Sequence, residues 1–454
     1  MTKRDVPAIG AILIPILVFY GILARETVNL PLLDDYGGVL GFVSGWSQLG
    51  SVHDKLLSLL TSQHNEYKLV FAESLYVLQY MLVGHINFAV LATLGNLLLL
   101  PIYAVLYRMW TDYSAQNNLQ LILFVPVSWM LFQLQYYSLL NWPMSSLQHI
   151  AVVCFSLLTI YLLGKDRRVA FYLALISLLL AVASSGNGFF VMPVGCVMLI
   201  QFRRPRRLLY WLVASAAMLI AYLYKYNFLA SQAHADHSII SSLHHISILY
   251  ALSFLGASIA RYGSYAPAAI LGGCMCAAFL YTVVDRFYVR SPALFYSLCF
   301  ILVTSVAVSG LRSDFGTAQA LVSRYRIYSN LMLIVFYLYG AGKLCSFGIL
   351  HRPENGKTIQ YFATATFLIA LIGFNVGSNY AGFKLLRART ELTKQGMSRW
   401  EHGEESITTA PGPANEDPVI RRQRLNVIYA PDDMYLREAI LLHWYSPPAY
   451  DGDK

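Results

Sequence analysis

Apolar blocks of about 17 to 20 residues recur along this chain, and each is long enough to cross a hydrocarbon core of about 30 Å as an α-helix. Hydrophobic residues make up 57% of the 454 residues and charged residues 13%, whereas a soluble domain has about a quarter charged. The blocks are also too long and too uniformly apolar for the strands of an outer-membrane barrel. The sequence therefore predicts an all-α polytopic membrane protein and excludes soluble Rossmann and TIM-barrel enzymes.

Eleven blocks are candidate transmembrane helices, and two further stretches are ambiguous. The eleven cover residues 6–24, 88–107, 119–135, 146–164, 170–184, 189–202, 208–226, 267–284, 292–310, 328–342 and 359–376. The ambiguous stretches, 67–83 and 246–260, lie near the lower length limit for a span. We expect about 11 transmembrane helices, within a range of 11 to 13, and interpret the ambiguous stretches as juxtamembrane helices on the outer face.

Basic clusters indicate the orientation, because short cytoplasmic loops carry an excess of Lys and Arg. The net charge of +9 lies in such clusters rather than on one basic face, which disfavours nucleic-acid binding. With eleven crossings and a cytoplasmic N-terminus, all compact basic clusters face the cytoplasm: Arg108, 165–168, 203–207, 285–290 and 343–357.

This topology divides the chain into two predicted parts. A transmembrane domain covers residues 1–376 and contains a first periplasmic loop at 26–87. A small periplasmic C-terminal segment covers 377–454, where the sequence is charged and contains prolines. The polar residues that are candidates for catalysis or binding then all lie on the outer face. This distribution indicates an outward-facing active site.

An acidic pair, Asp34 and Asp35, directly follows the first block. Adjacent like charges raise the pKa of one carboxyl group, which suits a general base that accepts a proton near neutral pH. The alternative is a solvated turn, since the sequence Asp-Asp-Tyr-Gly-Gly is also favourable turn chemistry.

A polar cluster at residues 63–68 opens the next apolar stretch. His64, Glu66 and Lys68 are candidates for binding a phosphate or a sugar hydroxyl. Alternatively, Asn65 caps a helix and Lys68 extends its amine to the membrane surface.

Two arginines, Arg324 and Arg326, directly precede the block at 328–342, and Arg312 lies shortly before them. A guanidinium offers a planar fork of donors that matches a phosphate group. Ordinary interfacial anchoring of Arg and Tyr is the alternative. The predicted outer location favours the phosphate interpretation, because the positive-inside rule disfavours arginines there.

Further polar contacts on the same predicted face come from Asn141, Trp142 and Asn187. For Asn187, which lies between two glycines, a plain connecting turn is the alternative. Four histidines raise the alternative of a metal site, but Asp236 is the only carboxylate among them: His234, His237, His244 and His245. The chain has no Walker A sequence and no Gly-x-Ser-x-Gly sequence, which disfavours nucleotide-driven transport and serine hydrolysis.

Together, the acidic pair, the His64 cluster, the Asn-Trp and Gly-Asn-Gly sequences and the late Ser-Arg-Tyr resemble the GT-C class of membrane glycosyltransferases. The resemblance covers residues 5 to 376 in layout and is greatest to the bacterial branch that modifies lipopolysaccharide, cell-wall glycans or pilin. It departs from the family in reading Asp-Asp where Asp-Glu is usual.

The resemblance implies a GT-C-like bundle in the bacterial inner membrane. Such an enzyme transfers a sugar from a polyprenyl-phosphate donor to a hydroxyl of a glycan or glycoprotein acceptor in the periplasm. Asp34 or Asp35 would deprotonate the acceptor, and Arg324 with Lys68 would stabilise the leaving phosphate. His64 and Glu66 would position sugar or acceptor. No cofactor is implied with certainty, and the question of a divalent metal stays open.

Two rival classes remain at the level of sequence. A lipid-linked oligosaccharide polymerase or ligase would use the same lipid phosphates on the same face. A transporter or flippase would place ionisable residues at the bilayer midplane and repeat its helices in pairs, and no internal repeat is visible.

Overall fold

A computed structural model describes residues 5–114, 120–227, 246–260, 264–346, 357–402 and 433–448. Within these ranges the chain is helical, and no β-strand longer than an isolated bridge is present. Short 3₁₀ and π-helical turns connect the α-helices, the π-helix covering Tyr36–Gly41. In chain order the α-helices are α1 (Asp5–Glu26), α2 (Phe42–Ser47), α3 (Val52–Thr61), α4 (Val70–Val83), α5 (Phe88–Leu97), α6 (Leu99–Tyr113), α7 (Gln120–Leu131), α8 (Tyr137–Leu140), α9 (Pro143–Leu163), α10 (Arg168–Ser184), α11 (Val191–Gln201), α12 (Pro205–Leu223), α13 (Ile248–Leu255), α14 (Ala266–Val284), α15 (Phe287–Arg290), α16 (Pro292–Arg312), α17 (Arg326–Ser346), α18 (Lys357–Glu401) and α19 (Asp433–Leu441).

Eight helical segments of the described chain are long and apolar enough to cross a membrane, which confirms an all-α polytopic membrane protein. They are Val6–Glu26, Phe88–Tyr113, Gln120–Leu140, Pro143–Leu163, Pro205–Leu223, Ala266–Val284, Pro292–Phe315 and Ser323–Leu344. Three apolar helices are shorter: Val70–Val83, Arg168–Ser184 and Gly186–Gln201. The predicted span at 359–376 lies inside the long helix α18.

Helix α9 lies at the centre of the bundle. It is apolar around its circumference and buried along most of its 21 residues, as expected for a helix with neighbours on all sides. It packs against α5, α6, α10, α11 and α16. Its length of about 30 Å matches the hydrocarbon thickness of a bilayer.

Basic residues of the clusters at 165–168, 203–207 and 285–290 lie at the C-terminal end of α9, hereafter the basic end. Lys165 Nζ lies 2.5 Å from Asp112 Oδ2, and its carbonyl accepts a hydrogen bond from Arg204 at 3.2 Å. A cavity of about 180 Å³ between the ends of four helices, α6, α9, α15 and α16, has Lys165 and Arg290 in its lining. Clusters far apart in sequence thus share one end of the bundle.

A second hydrophobic core covers the opposite end of α9, hereafter the acidic-loop end. It combines the loop after α1 with Met397 of α18 and with residues from Leu436 to Tyr445. Trp444 accepts a hydrogen bond from the backbone N–H of Ile86 at 2.8 Å, and the Tyr445 hydroxyl donates to the Asn29 carbonyl at 2.9 Å. The described C-terminal residues therefore pack together with the first loop.

Helix α18 links the two cores. Its 45 residues correspond to about 67 Å, more than twice the hydrocarbon thickness of a bilayer. Gly382 allows this helix to approach the backbone of Leu134, since a Cβ at that position would overlap it. The last turns of α18 thereby reach the acidic-loop end and place Arg389 and Thr390 beneath the first loop.

Candidate functional site

The acidic pair splits into two different environments. Asp35 is fully buried, and its two carboxylate oxygens accept backbone N–H groups of Leu32 at 3.0 Å and Met144 at 3.2 Å. Burial raises the pKa of Asp35 well above its usual value, and Asp34 adds to this, while the two N–H donors and Arg389 oppose it. Asp35 therefore joins the loop to the first turn of α9 and exposes no surface to a substrate.

Replacing Asp35 by Asn is expected to destabilise the fold. The amide –NH₂ would point a donor at one of the two backbone N–H groups, which then loses its acceptor, at a cost of about 1–3 kcal/mol. The measurement is the thermal unfolding midpoint of the purified protein in detergent. An unchanged midpoint for Asp35→Asn would contradict this structural role.

Asp34 faces the open side of the loop, with its side chain 48% exposed. Its Oδ1 lies 3.9 Å from His64 Nε2, and its charge also acts on Arg312 and Arg324. Burial lowers the pKa of His64, and the nearby Asp34 partly opposes that shift. The structure therefore offers an accessible carboxylate beside an imidazole and two guanidinium groups.

Arg324 is the central cation of the site. Its guanidinium carbon lies 5.9 Å from the ring centre of Trp142 and 5.4 Å from that of Tyr325. Among the residues that the structure describes, no carboxylate oxygen lies within ion-pair distance of it. A guanidinium supported by aromatic rings and not neutralised by a close carboxylate has donors to offer to an anion such as a phosphate.

Glu66 and Arg312 form an ion pair with each other. Arg312 also donates to the Tyr67 hydroxyl at 3.5 Å. Burial raises the pKa of Tyr67 well above its usual value, so this phenol stays neutral. The three residues join the polar cluster at 63–68 to the end of α16, and the charge of Arg312 is largely balanced within the protein.

Four of the predicted site residues hydrogen-bond to neighbouring protein groups through their side chains. These bonds join Lys68 Nζ to the Tyr224 carbonyl at 2.6 Å, Arg326 to the Leu321 carbonyl at 3.5 Å, Asn141 to Thr390 Oγ1 at 3.3 Å, and Asn187 to the Tyr328 hydroxyl at 2.7 Å. Burial also lowers the pKa of Lys68, an effect that Glu73 opposes. The structure thus assembles Asp34, His64, Trp142 and Arg324, and gives Lys68 a partner elsewhere.

Three residues at this site were missed by the sequence analysis. Arg389 is 5% exposed, lies 5.5 Å from the Trp142 ring centre and acts on Asp35. His149 packs edge-on against Tyr325 with ring centres 6.0 Å apart, and Tyr250 interacts electrostatically with Arg324. A polar residue inside an apolar block, as His149 is, was the available signal. No sequence signal marked Arg389, because the stretch around it has the pattern of a solvated helix.

The histidines considered for a metal site lie outside the described residues. Within the described ranges, no group of three metal-ligating side chains occurs. No family model matches the chain, and neither a curated protein nor a solved structure matches it. The arrangement of the site therefore carries the functional argument.

Proposed function

We propose that the protein is a GT-C-like membrane glycosyltransferase that moves a sugar from a polyprenyl-phosphate donor to an acceptor hydroxyl. The observation that supports the proposal is an accessible carboxylate, Asp34, in the same site as Arg324, on which its charge acts without forming a close ion pair. A base beside an anion-binding group is the pair that transfer from a lipid phosphate needs, because the phosphate already activates the anomeric carbon.

The two carboxylates have different roles in this proposal. Asp34 accepts the acceptor's hydroxyl proton while the acceptor oxygen bonds to the anomeric carbon, and the bond from that carbon to the phosphate oxygen breaks. The electron pair leaves with the phosphate, whose charge Arg324 stabilises. His64, whose Nε2 lies 3.9 Å from Asp34 Oδ1 and has no hydrogen-bond partner in the described chain, positions the sugar or the acceptor. Asp35 is assigned no chemical step because its oxygens bind backbone groups.

The test of the function is sugar transfer by the purified protein in vesicles that contain polyprenyl-phosphate sugars. Formation of a glycosylated acceptor, lost in Asp34→Asn, would support the proposal. Polymerisation of lipid-linked oligosaccharides would assign the same site to the polymerase or ligase class. Movement of the lipid-linked saccharide across the bilayer without transfer would favour the flippase class and overturn the proposal.

The proposal includes eleven crossings, with the acidic-loop end in the periplasm of a bacterial inner membrane. The eight long spans are then joined by Arg168–Ser184, Gly186–Gln201 and the first half of α18. This arrangement is supported by the gathering of basic residues at the other end of the bundle.

Reporter fusions test this orientation. A reporter inserted after Asp166, which is exposed at the basic end, is expected to be active in the cytoplasm. A reporter fused after Lys454 is expected to be active in the periplasm, because an odd number of crossings separates the C-terminus from the cytoplasmic N-terminus. Cytoplasmic activity at both positions would contradict the topology.

A further inference from the structure

Three side chains beside Arg324 each have a buried polar atom without a hydrogen-bond partner. The atoms are Trp142 Nε1, His149 Nδ1 and the Tyr250 hydroxyl oxygen. Buried polar atoms in proteins are nearly always hydrogen-bonded, since an unsatisfied group keeps its desolvation cost. Such atoms also occur elsewhere in the described chain, but these three lie around a guanidinium that has no close carboxylate there. A ligand held by that guanidinium would be placed to supply the missing partners.

The three side chains come from two helices that flank Arg324. Trp142 immediately precedes α9, and His149 lies two turns further along the same helix. Tyr250 belongs to α13 and is fully buried. Arg324 interacts electrostatically with both His149 and Tyr250, and the aromatic ring of Tyr325 contacts both His149 and Arg324.

The chemistry of these atoms differs from that of the arginine they surround. An imidazole and a phenol each donate or accept one hydrogen bond, as a sugar hydroxyl does, and the indole N–H donates one. A ligand that matches both the three hydrogen-bonding atoms and the guanidinium of Arg324 carries neutral hydroxyls directly next to an anionic group.

We propose that His149 and Tyr250, with the indole of Trp142, form a hydroxyl-binding subsite that recognises the sugar ring of a glycosyl phosphate held by Arg324. The inference rests on the proposed function. It assigns sugar recognition to His149 and Tyr250, in α9 and α13, and leaves the acceptor side to the loop that carries Asp34.

Two substitutions remove the hydrogen-bonding atoms: Tyr250→Phe keeps the ring, and His149→Gln replaces the imidazole by a smaller side chain. Because the Tyr250 hydroxyl has no partner within the described chain, unliganded Tyr250→Phe is expected to unfold at the same temperature as the wild type or slightly above it. Tyr136→Phe is the matched control, since the Tyr136 hydroxyl accepts a hydrogen bond from Asn330 at 2.7 Å. This control is expected to unfold earlier and to bind ligand as the wild type does.

Ligand recognition is measured as a ratio of affinities for two kinds of lipid. One is a short-chain polyprenyl phosphate, and the other is the same lipid carrying glucose, galactose, mannose, N-acetylglucosamine or arabinose. We expect the wild type to bind at least one sugar-bearing lipid more tightly than the bare lipid. In each variant, the ratio of the affinity for the sugar-bearing lipid to that for the bare lipid should fall by about 2- to 10-fold. The affinity for the bare lipid phosphate should stay unchanged.

Several outcomes would overturn the subsite. These are a wild type that prefers no sugar-bearing lipid, variants that retain the full preference, or a Tyr250→Phe variant that unfolds clearly earlier than the wild type. The proposed function fails in a different way. In that case the bare polyprenyl phosphate does not bind, or Arg324→Lys leaves its affinity unchanged.

Discussion

Replacing Asp34 by Asn is expected to lower the rate of sugar transfer by about 10²- to 10⁴-fold. The amide keeps the size of the side chain but cannot accept the acceptor's proton, so the chemical step loses its general base. Affinity for the donor and the thermal midpoint should stay close to wild type, because the side chain is half exposed and holds no backbone group. The measurement is the initial rate of transfer in vesicles at saturating donor.

Two control variants sharpen this test. Glu391→Gln removes a carboxylate of similar exposure on α18, 51% against 48%, and is expected to leave the rate unchanged. Asp35→Asn is expected to reduce the amount of folded protein, with the remaining folded fraction active. Full activity of Asp34→Asn would exclude this loop from catalysis and favour the transporter or flippase class.

Replacing Arg324 by Lys is expected to weaken binding of a polyprenyl phosphate by about 10- to 100-fold, equivalent to about 1.5–3 kcal/mol. Lysine keeps the positive charge but loses the planar fork of donors and the stacking on Trp142 and Tyr325. Folding should be spared, since in the described chain the guanidinium makes no close ion pair, and a lysine can still donate to Tyr325, the hydrogen-bond partner of Arg324. The dissociation constant of the bare lipid phosphate gives the readout.

Arg204→Lys is a matched control for this substitution. Its guanidinium also lies over an aromatic ring, 4.8 Å from the Phe202 ring centre, but at the basic end of the bundle. Affinity per folded molecule should therefore equal that of the wild type. If Arg324→Lys bound lipid phosphate normally while Arg324→Ala failed to fold, Arg324 would be an interfacial anchor instead.

The helical class was predictable from the sequence because long apolar blocks encode it directly. The block at 6–24 became α1 (Asp5–Glu26), and the ambiguous stretch at 246–260 became the short helix α13 and a 3₁₀ turn. The number of crossings was harder to predict, because Arg168–Ser184 and Gly186–Gln201 lie near the length that a span requires. Length alone does not separate such a helix from a buried one.

The chemistry of the site depended on contacts that no local pattern encodes. The distinction between Asp34 and Asp35 comes from the backbone N–H of Met144, which is 109 positions away. The partner of Lys68 is the Tyr224 carbonyl, 156 positions away. Local sequence indicated a set of candidate polar residues, but the tertiary fold decides which of them stay available to a ligand.

The packing of α19 has a consequence for the order in which this protein matures. Tyr435 lies against Gly41 in the π-helix that follows the acidic pair, where a Cβ would come within 2.8 Å of its ring. Tyr445 bonds to Asn29 across 416 positions. During synthesis, the loop that bears Asp34 is made early and must wait for these late residues before it can pack. Contacts so distant in sequence form slowly, so we expect nascent chains inserted up to α18 to remain inactive until α19 docks.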